Sequence, residues 1–247
     1  MELLPSVLHV LIFFQYFLLS TSRPPTLPSS GPNPGRSRFV LVHGAGHGAW
    51  CWYKIIPILK SHGYNVTAID LVSSGINLQS PDDLRSISDY IEPLIGLIES
   101  LEEGERAILV GHSLGGLAVS KAMEMFPGKV HMAVFATALM PGPNFNFTSL
   151  SQGDIELATL LVRPQRIFSN KDIDENIVLT RKRYGSVNRI FVVSEKDVTF
   201  VKEFQLWMMK NNPPNQVEYI KDSDHMIMIS KPLDLAHRLL SLAKKFT

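Results

Sequence analysis

The sequence predicts an α/β fold, with a mostly parallel central sheet and helices on both faces. From Arg38 onward, short apolar runs alternate with longer amphipathic segments, as strands joined by crossover helices do. The runs themselves, such as AILVG (107–111) and IFVVS (190–194), lack polar alternation, as expected of strands covered on both faces. One glycine-rich turn, VGHSLGG (110–116), joins such a run directly to a helix-forming segment.

Taken in order, FVLVH (39–43) is a buried strand that runs into the turn GAGHGA, and a helix is expected over 50–61. The next apolar run, 64–69, ends at Asp70. A helix over 82–101 has a clear start: Ser80 can cap it, Pro81 suits its first turn, and Asp82 and Asp83 favour its positive end. Its apolar stripe of Leu84, Ile87, Ile91, Leu94, Ile95 and Ile98 keeps the helical period, and Pro93 within it predicts a kink. A strand at 106–110 and a helix at 114–126 flank the serine turn, and a strand at 130–136 follows. The chain closes with strands at 189–194 and 216–220 and helices at 199–211 and 232–245. Between 141 and 188 the alternation breaks, leaving MPGPNFNF, one helix-like piece (154–162) and a polar stretch. An insertion there would lie over the carboxyl ends of the strands, where open α/β sheets bind ligands. It reads as a lid.

With 247 residues, 45% of them hydrophobic, the chain can furnish one large core. A net charge of +1 and the lack of a basic stripe give no case for nucleic acid. The single cysteine, Cys51, excludes an intrachain disulfide and a multi-cysteine metal site. Residues 1–22 hold a short apolar run, VLHVLIFFQYFLLS (7–20), whose core of about 13 residues has the length of a signal-peptide h-region. Glu2 and the lack of Lys or Arg before the run argue the other way. The segment is therefore a signal peptide or anchor, or an extension with no targeting role. It would place the protein in the secretory pathway in the first case and leave it cytoplasmic in the second. Residues 23–37, rich in Pro, Ser and Gly, are a linker, and the folded domain is expected over 38–247. Of two sequons, Asn65 opens a strand expected to be buried and Asn146 lies in the lid segment.

Gly111, Ser113 and Gly115 form G-x-S-x-G between a strand and a helix, the setting of a nucleophile elbow. Such a turn is sharp, so the residues two before and two after the serine must lack side chains. Serine needs a base, and the base needs a third group to fix its tautomer. In the order Ser, acid, His, the histidine is His225, on the loop after the last strand. His131 comes too early, and His237 sits within the final helix. Asp197, directly after the strand IFVVS, is the preferred acid, with Glu195 second. Acyl transfer also needs two oxyanion donors. The backbone N–H of Leu114 is one, and that of Ala45, in the loop after the first strand, is the other. Gly44, Gly46 and Ala49 also fit the dinucleotide pattern G-x-G-x-x-G/A, with Asp70 at the distance of a ribose-binding acid. The preceding His43-Gly44 and the otherwise unexplained elbow argue against that reading.

With these residues in place the chain resembles the plant methylesterases, which include methyl salicylate, methyl jasmonate and methyl indole-3-acetate esterases and are related to hydroxynitrile lyases. The resemblance rests on FVLVHGAGHGAWCWYKIIPIL, VTAIDLVSSGI, VGHSLGGLAVSKAMEMFP, AVFATALMPGP, LATLLVRP, RYGSVNRIFVVSEKD, EFQLW and DHMIM. It implies an α/β-hydrolase fold, a triad of Ser113, Asp197 and His225, an oxyanion hole at Ala45 and Leu114, and neither cofactor nor metal. It further implies a small apolar methyl-ester substrate, cleaved through an acyl-enzyme, and a homodimer, with membrane contact only through an N-terminal anchor. Met226 and Leu114 stand where hydroxynitrile lyases of this group carry lysine and, usually, cysteine. The segment between ALMPGP and LATLLVRP is several tens of residues shorter than in these proteins, so the lid is a truncated cap. Two other readings stay open: a binding protein for small hormones that does not turn them over, and a lyase.

Overall fold

The computed structural model describes residues 37–144 and 166–246. The N-terminal segment, Asn146 and the helix-like piece expected at 154–162 lie outside them. Six strands form one parallel sheet: β1 (Ser37–Val42), β2 (Asn65–Ile69), β3 (Arg106–Ser113), β4 (Val130–Ala138), β5 (Asn188–Ser194) and β6 (Gln216–Ile220). Their order is β2-β1-β3-β4-β5-β6, with every neighbouring pair parallel.

The missing alternation in the central strands has the expected cause. In β3, Ala107 and Leu109 enter the apolar cluster on one face while Ile108 and Val110 enter the cluster on the other. Successive side chains point to opposite faces, so a strand buried on both must be apolar throughout. Helices α2 (Ile87–Glu99) and α3 (Gly115–Met125) cover the first face, and α5 (Lys202–Asn211) adds Met208 and Met209 there. Helices α1 (Ile55–Ser61) and α6 (Pro232–Phe246) cover the second with Ile55, Leu59, Leu235, Leu239 and Leu242.

Four expectations change. Ser80 and Pro81 begin only a single 3-10 turn, Pro81–Asp83, and α2 starts later, at Ile87. The true cap is Ser86, whose hydroxyl accepts the Asp89 N–H at 3.4 Å, while Asp89 reaches back to the Arg85 N–H at 3.0 Å. This reciprocal arrangement satisfies backbone donors near the start of the helix. Helix α1 begins at Ile55, preceded by a separate 3-10 turn, Ala49–Trp52. The polar stretch before β5 contains a further helix, α4 (Asn170–Asn176), capped by Ser169 and fixed when Asp172 accepts the Ile87 N–H at 2.8 Å. Finally, β2 is an edge strand and Asn65 is exposed, not buried.

The strand order reverses between β1 and β3, since the chain moves outward to β2 and then returns to the other side of β1. Loops leaving the carboxyl ends of β1 and β3 therefore diverge at this point, the usual ligand position in open α/β sheets. The loop beginning at His43 and the turn at Ser113 both lie there.

Candidate active site

Ser113 is the last residue of β3 and has φ of 52°, the left-handed region that side chains rarely adopt. Steric need explains its glycine neighbours. A Cβ on Gly115 would lie 2.5 Å from the His43 carbonyl oxygen, and one on Gly116 would lie 2.0 Å from that of Leu139. The first turn of α3 therefore packs directly on the loop after β1 and on the chain leaving β4. Any side chain at these two positions would force the elbow apart.

The loop after β1 opens on His43 and lies against His112, both kept neutral by burial. His43 is fully buried, and burial lowers its pKa to about 4. Its Nδ1–H donates to the Gly44 carbonyl at 2.7 Å, and its Nε2 accepts the Leu71 N–H at 3.0 Å. Burial also pushes the pKa of His112 well below the ordinary histidine value. A backbone carbonyl can only accept, so His112 Nε2 carries the proton it donates to the His225 carbonyl at 2.8 Å. His112 Nδ1 is buried and has no hydrogen-bond partner. His47 donates from Nδ1 to the Ala45 carbonyl at 2.7 Å and stacks on Trp50. Among the described residues, neither the Ala45 N–H nor the Leu114 N–H donates a hydrogen bond.

Asp197 and His225 meet. His225 Nδ1 lies 2.7 Å from Asp197 Oδ2, and Asp197 is 4% exposed. The other carboxylate oxygen accepts the N–H groups of Thr199 and Phe200, each at 2.8 Å. Thr137 donates its hydroxyl to Oδ2 as well. Four donors thus meet one buried carboxylate and replace the hydrogen bonds it would make to water. The loop that carries Asp197 is fixed by buried Gln205, which accepts the Ser194 N–H and donates to the carbonyls of Ser194 and Phe200. Ser194 also hydrogen-bonds Ser223 and the Asp224 carbonyl, joining this loop to the one that carries His225. The His225 ring sits between those of His112, centroids 4.7 Å apart, and Phe200, 5.0 Å apart.

No direct hydrogen bond links the Ser113 hydroxyl to His225; their connection runs through His112. In enzymes that use a serine and a histidine base, this contact often tightens only around bound substrate. The alternatives weighed from sequence are occupied elsewhere. Glu195 pairs with Lys202 at 3.5 Å, His131 meets the Phe246 carbonyl, and His237 lies on the exposed side of α6. Asp70 accepts the N–H groups of Ala49 at 2.6 Å and Ile76 at 3.2 Å, so its oxygens brace two loops. Residues that sequence reasoning missed are Thr137, Gln205 and Phe200. Trp50, Ile76, Leu78 and Val198, on loops that follow the carboxyl ends of β1, β2 and β5, are exposed.

Residues 39–238 match the family model described as the alpha/beta hydrolase family. Methyl jasmonate esterase 1 of Vitis vinifera is 41% identical over 254 aligned positions, which cover 85% of this chain and 97% of the relative. Those positions exceed by several tens the 85% of 247 residues that they cover in this chain, so the relative carries several tens of positions with no counterpart here. Methylesterase 3 of Arabidopsis thaliana is 40% identical, with 85% and 97% covered. Among solved structures, tomato methylketone synthase I complexed with 2-tridecanone superposes with a TM-score of 0.78 at 43% identity, covering 86% of this chain and 99% of that one. Polyneuridine aldehyde esterase superposes with a TM-score of 0.77 at 33% identity, covering 84% and 99%.

Proposed function

The chain belongs to the alpha/beta hydrolase family, among the plant methylesterases, and from that premise we propose that it hydrolyses small methyl esters through Ser113, His225 and Asp197. The observation that carries the reading is the hydrogen bond between buried Asp197 and half-buried His225, at the same end of the sheet as a serine held at positive φ. Candidate substrates are methyl esters of plant hormones: methyl jasmonate, methyl salicylate and methyl indole-3-acetate. The esterase names of the relatives and the exposed apolar side chains on the loops after β1, β2 and β5 support an apolar acyl group.

In this mechanism His225 Nε2 takes the Ser113 hydroxyl proton as the oxygen attacks the ester carbonyl. Asp197 holds the imidazole by its Nδ1–H and stabilises the imidazolium that forms. The N–H groups of Leu114 and Ala45 receive the oxyanion, and Leu114 sits at the positive end of α3. The imidazolium returns its proton to methanol as the C–O bond breaks. Water, deprotonated by His225, then attacks the acyl-enzyme and releases the acid and the serine.

The test is mass spectrometry after treating the folded full-length chain with a fluorophosphonate probe, alongside methanol release from the three esters. An adduct on Ser113 and turnover lost in Ser113→Ala are expected. No adduct on Ser113 in folded protein overturns the esterase reading. Equal ligand affinity in wild type and Ser113→Ala, with no methanol released by either, would instead identify a binding protein.

A further inference from the structure

Strands β3 and β4 fall out of step beside the serine. His112 pairs with Ala136, but Ser113 pairs with Ala138, so Thr137 is an extra residue with no partner on β3. The bulge changes which face each side chain meets. Phe135 and Ala138 enter one apolar cluster and Ala136 the other, so the alternation restarts after Thr137. Thr137 itself has φ of 41° and is fully buried. That backbone is a rare one for a β-branched residue and costs roughly 1–2 kcal/mol. Apolar packing does not require a hydroxyl at this position.

The hydroxyl donates to Asp197 Oδ2, the same oxygen that accepts the His225 Nδ1–H at 2.7 Å. A carboxylate cannot donate, so the direction of this bond is fixed. The backbone N–H groups of Thr199 and Phe200 come from the loop that carries Asp197 and move with it. Thr137 is the one donor to Asp197 from the neighbouring strand β4, which also carries the partner of the serine's own residue. It therefore ties the acid to the sheet beside the nucleophile.

We propose that Thr137 is a positioning residue for the Asp197–His225 pair, placed by the β4 bulge to fix the carboxylate and to share the oxygen that faces the imidazole. The inference rests on the reading of that pair as the acid–base machinery. Charge on Oδ2 is divided between two donors, so losing the hydroxyl leaves more for the imidazolium. That form then persists to higher pH, and the acid limb of kcat/KM moves up. Other titratable groups facing His225 are His112, held neutral by burial behind it on β3, and, on its own loop, exposed Asp224 and Asp222, the latter paired with Lys196.

The experiment compares Thr137→Val, which keeps the shape and loses the hydroxyl, with Thr137→Ser, which keeps the hydroxyl. Methyl-ester hydrolysis is followed across pH, and the His225 Nδ1–H resonance by NMR, both on the full-length chain. For the valine variant we expect kcat lower by roughly tenfold, the scale of one hydrogen bond to a charged group. KM should hold, the acid limb should move to higher pH, and the Nδ1–H resonance should move downfield. The serine variant should restore all of these. A valine variant that matches wild type, or loses thermal stability alone while the acid limb and resonance stay in place, overturns the inference. If wild type shows no esterase activity but the resonance responds as described, the methylesterase reading fails and the positioning role stands.

Discussion

Gly44 lies so close to Ser113 that a Cβ on it would sit 2.7 Å from the serine Cβ and 2.9 Å from the unpartnered Nδ1 of His112. Both neighbours belong to the rigid end of β3, so Gly44→Ala would push the loop after β1 away from the elbow. That loop carries Ala45, and a displacement near 1 Å at such a site costs about a hundredfold in rate. The expected result is kcat/KM lower by about a hundredfold, with overpacking destabilisation of only about 1–3 kcal/mol. Kinetics paired with urea unfolding separates the two effects. A Gly44→Ala variant with wild-type turnover would remove the loop from the mechanism.

The choice between Asp197 and Glu195 can be tested directly. Asp197→Asn keeps the shape of the side chain but presents the wrong partner to His225 Nδ1, and loss of kcat on the order of 10⁴ is expected for such a change. Glu195 holds Lys202 at the surface, so Glu195→Gln should keep activity within about twofold, as surface changes usually do. Steady-state hydrolysis of a methyl ester measures both. The reverse ranking would transfer the acid's role to Glu195.

Asp70 illustrates how a motif can mislead. Its carboxylate accepts two backbone N–H groups from different loops, and a Cβ on Gly75 would lie 1.9 Å from its Oδ1. Gly48 approaches the same oxygen, with a Cβ that would lie 2.7 Å away. Gly48 of the first loop and Gly75 of the loop after β2 thus make room for an aspartate of this chain. Asp70→Ala should cost about 2–3 kcal/mol by leaving both donors without their charged acceptor. Chemical denaturation reads that loss, and titration with NAD should show no saturable binding in wild type or variant.

The parts of the candidate site legible in the sequence are those written into short stretches of chain. Ser113 announces itself through glycines whose absence of side chains the elbow needs, and Asp197 and His225 each follow an apolar run at its carboxyl end. The same reasoning chose Ser80 as a helix cap over Ser86, because the Arg85–Asp89 and Ile87–Asp172 contacts that settle the start are partly tertiary. Ser169-x-x-Asp172 is a readable cap for α4, obscured by the polar residues after it. Thr137 could not be found in this way. Its role arises from a register slip between two strands, and nothing in AVFATALM marks which residue is skipped. Edge position likewise depends on strand order, which is why Asn65 reads as buried in sequence and is exposed in the fold.

Stability should depend on pH through His43, which braces the loop after β1, and through His112. Burial lowers His43 from 6.5 to about 4, so between those values the unfolded chain binds a proton that the folded protein refuses. Stability is then fully present above pH 6.5 and is lost as pH falls toward 4, by an amount on the order of 3 kcal/mol for this group. His112 is lowered for the same reason and acts in the same direction. Urea midpoints measured from pH 7 to 4.5 should therefore fall steadily. His43→Asn keeps a donor and an acceptor but cannot take up the proton. That variant should be weaker at pH 7, where the bonds to Gly44 and Leu71 fit imidazole, and its midpoint should fall less steeply on acidification. An unchanged slope would assign the acid sensitivity to groups other than His43.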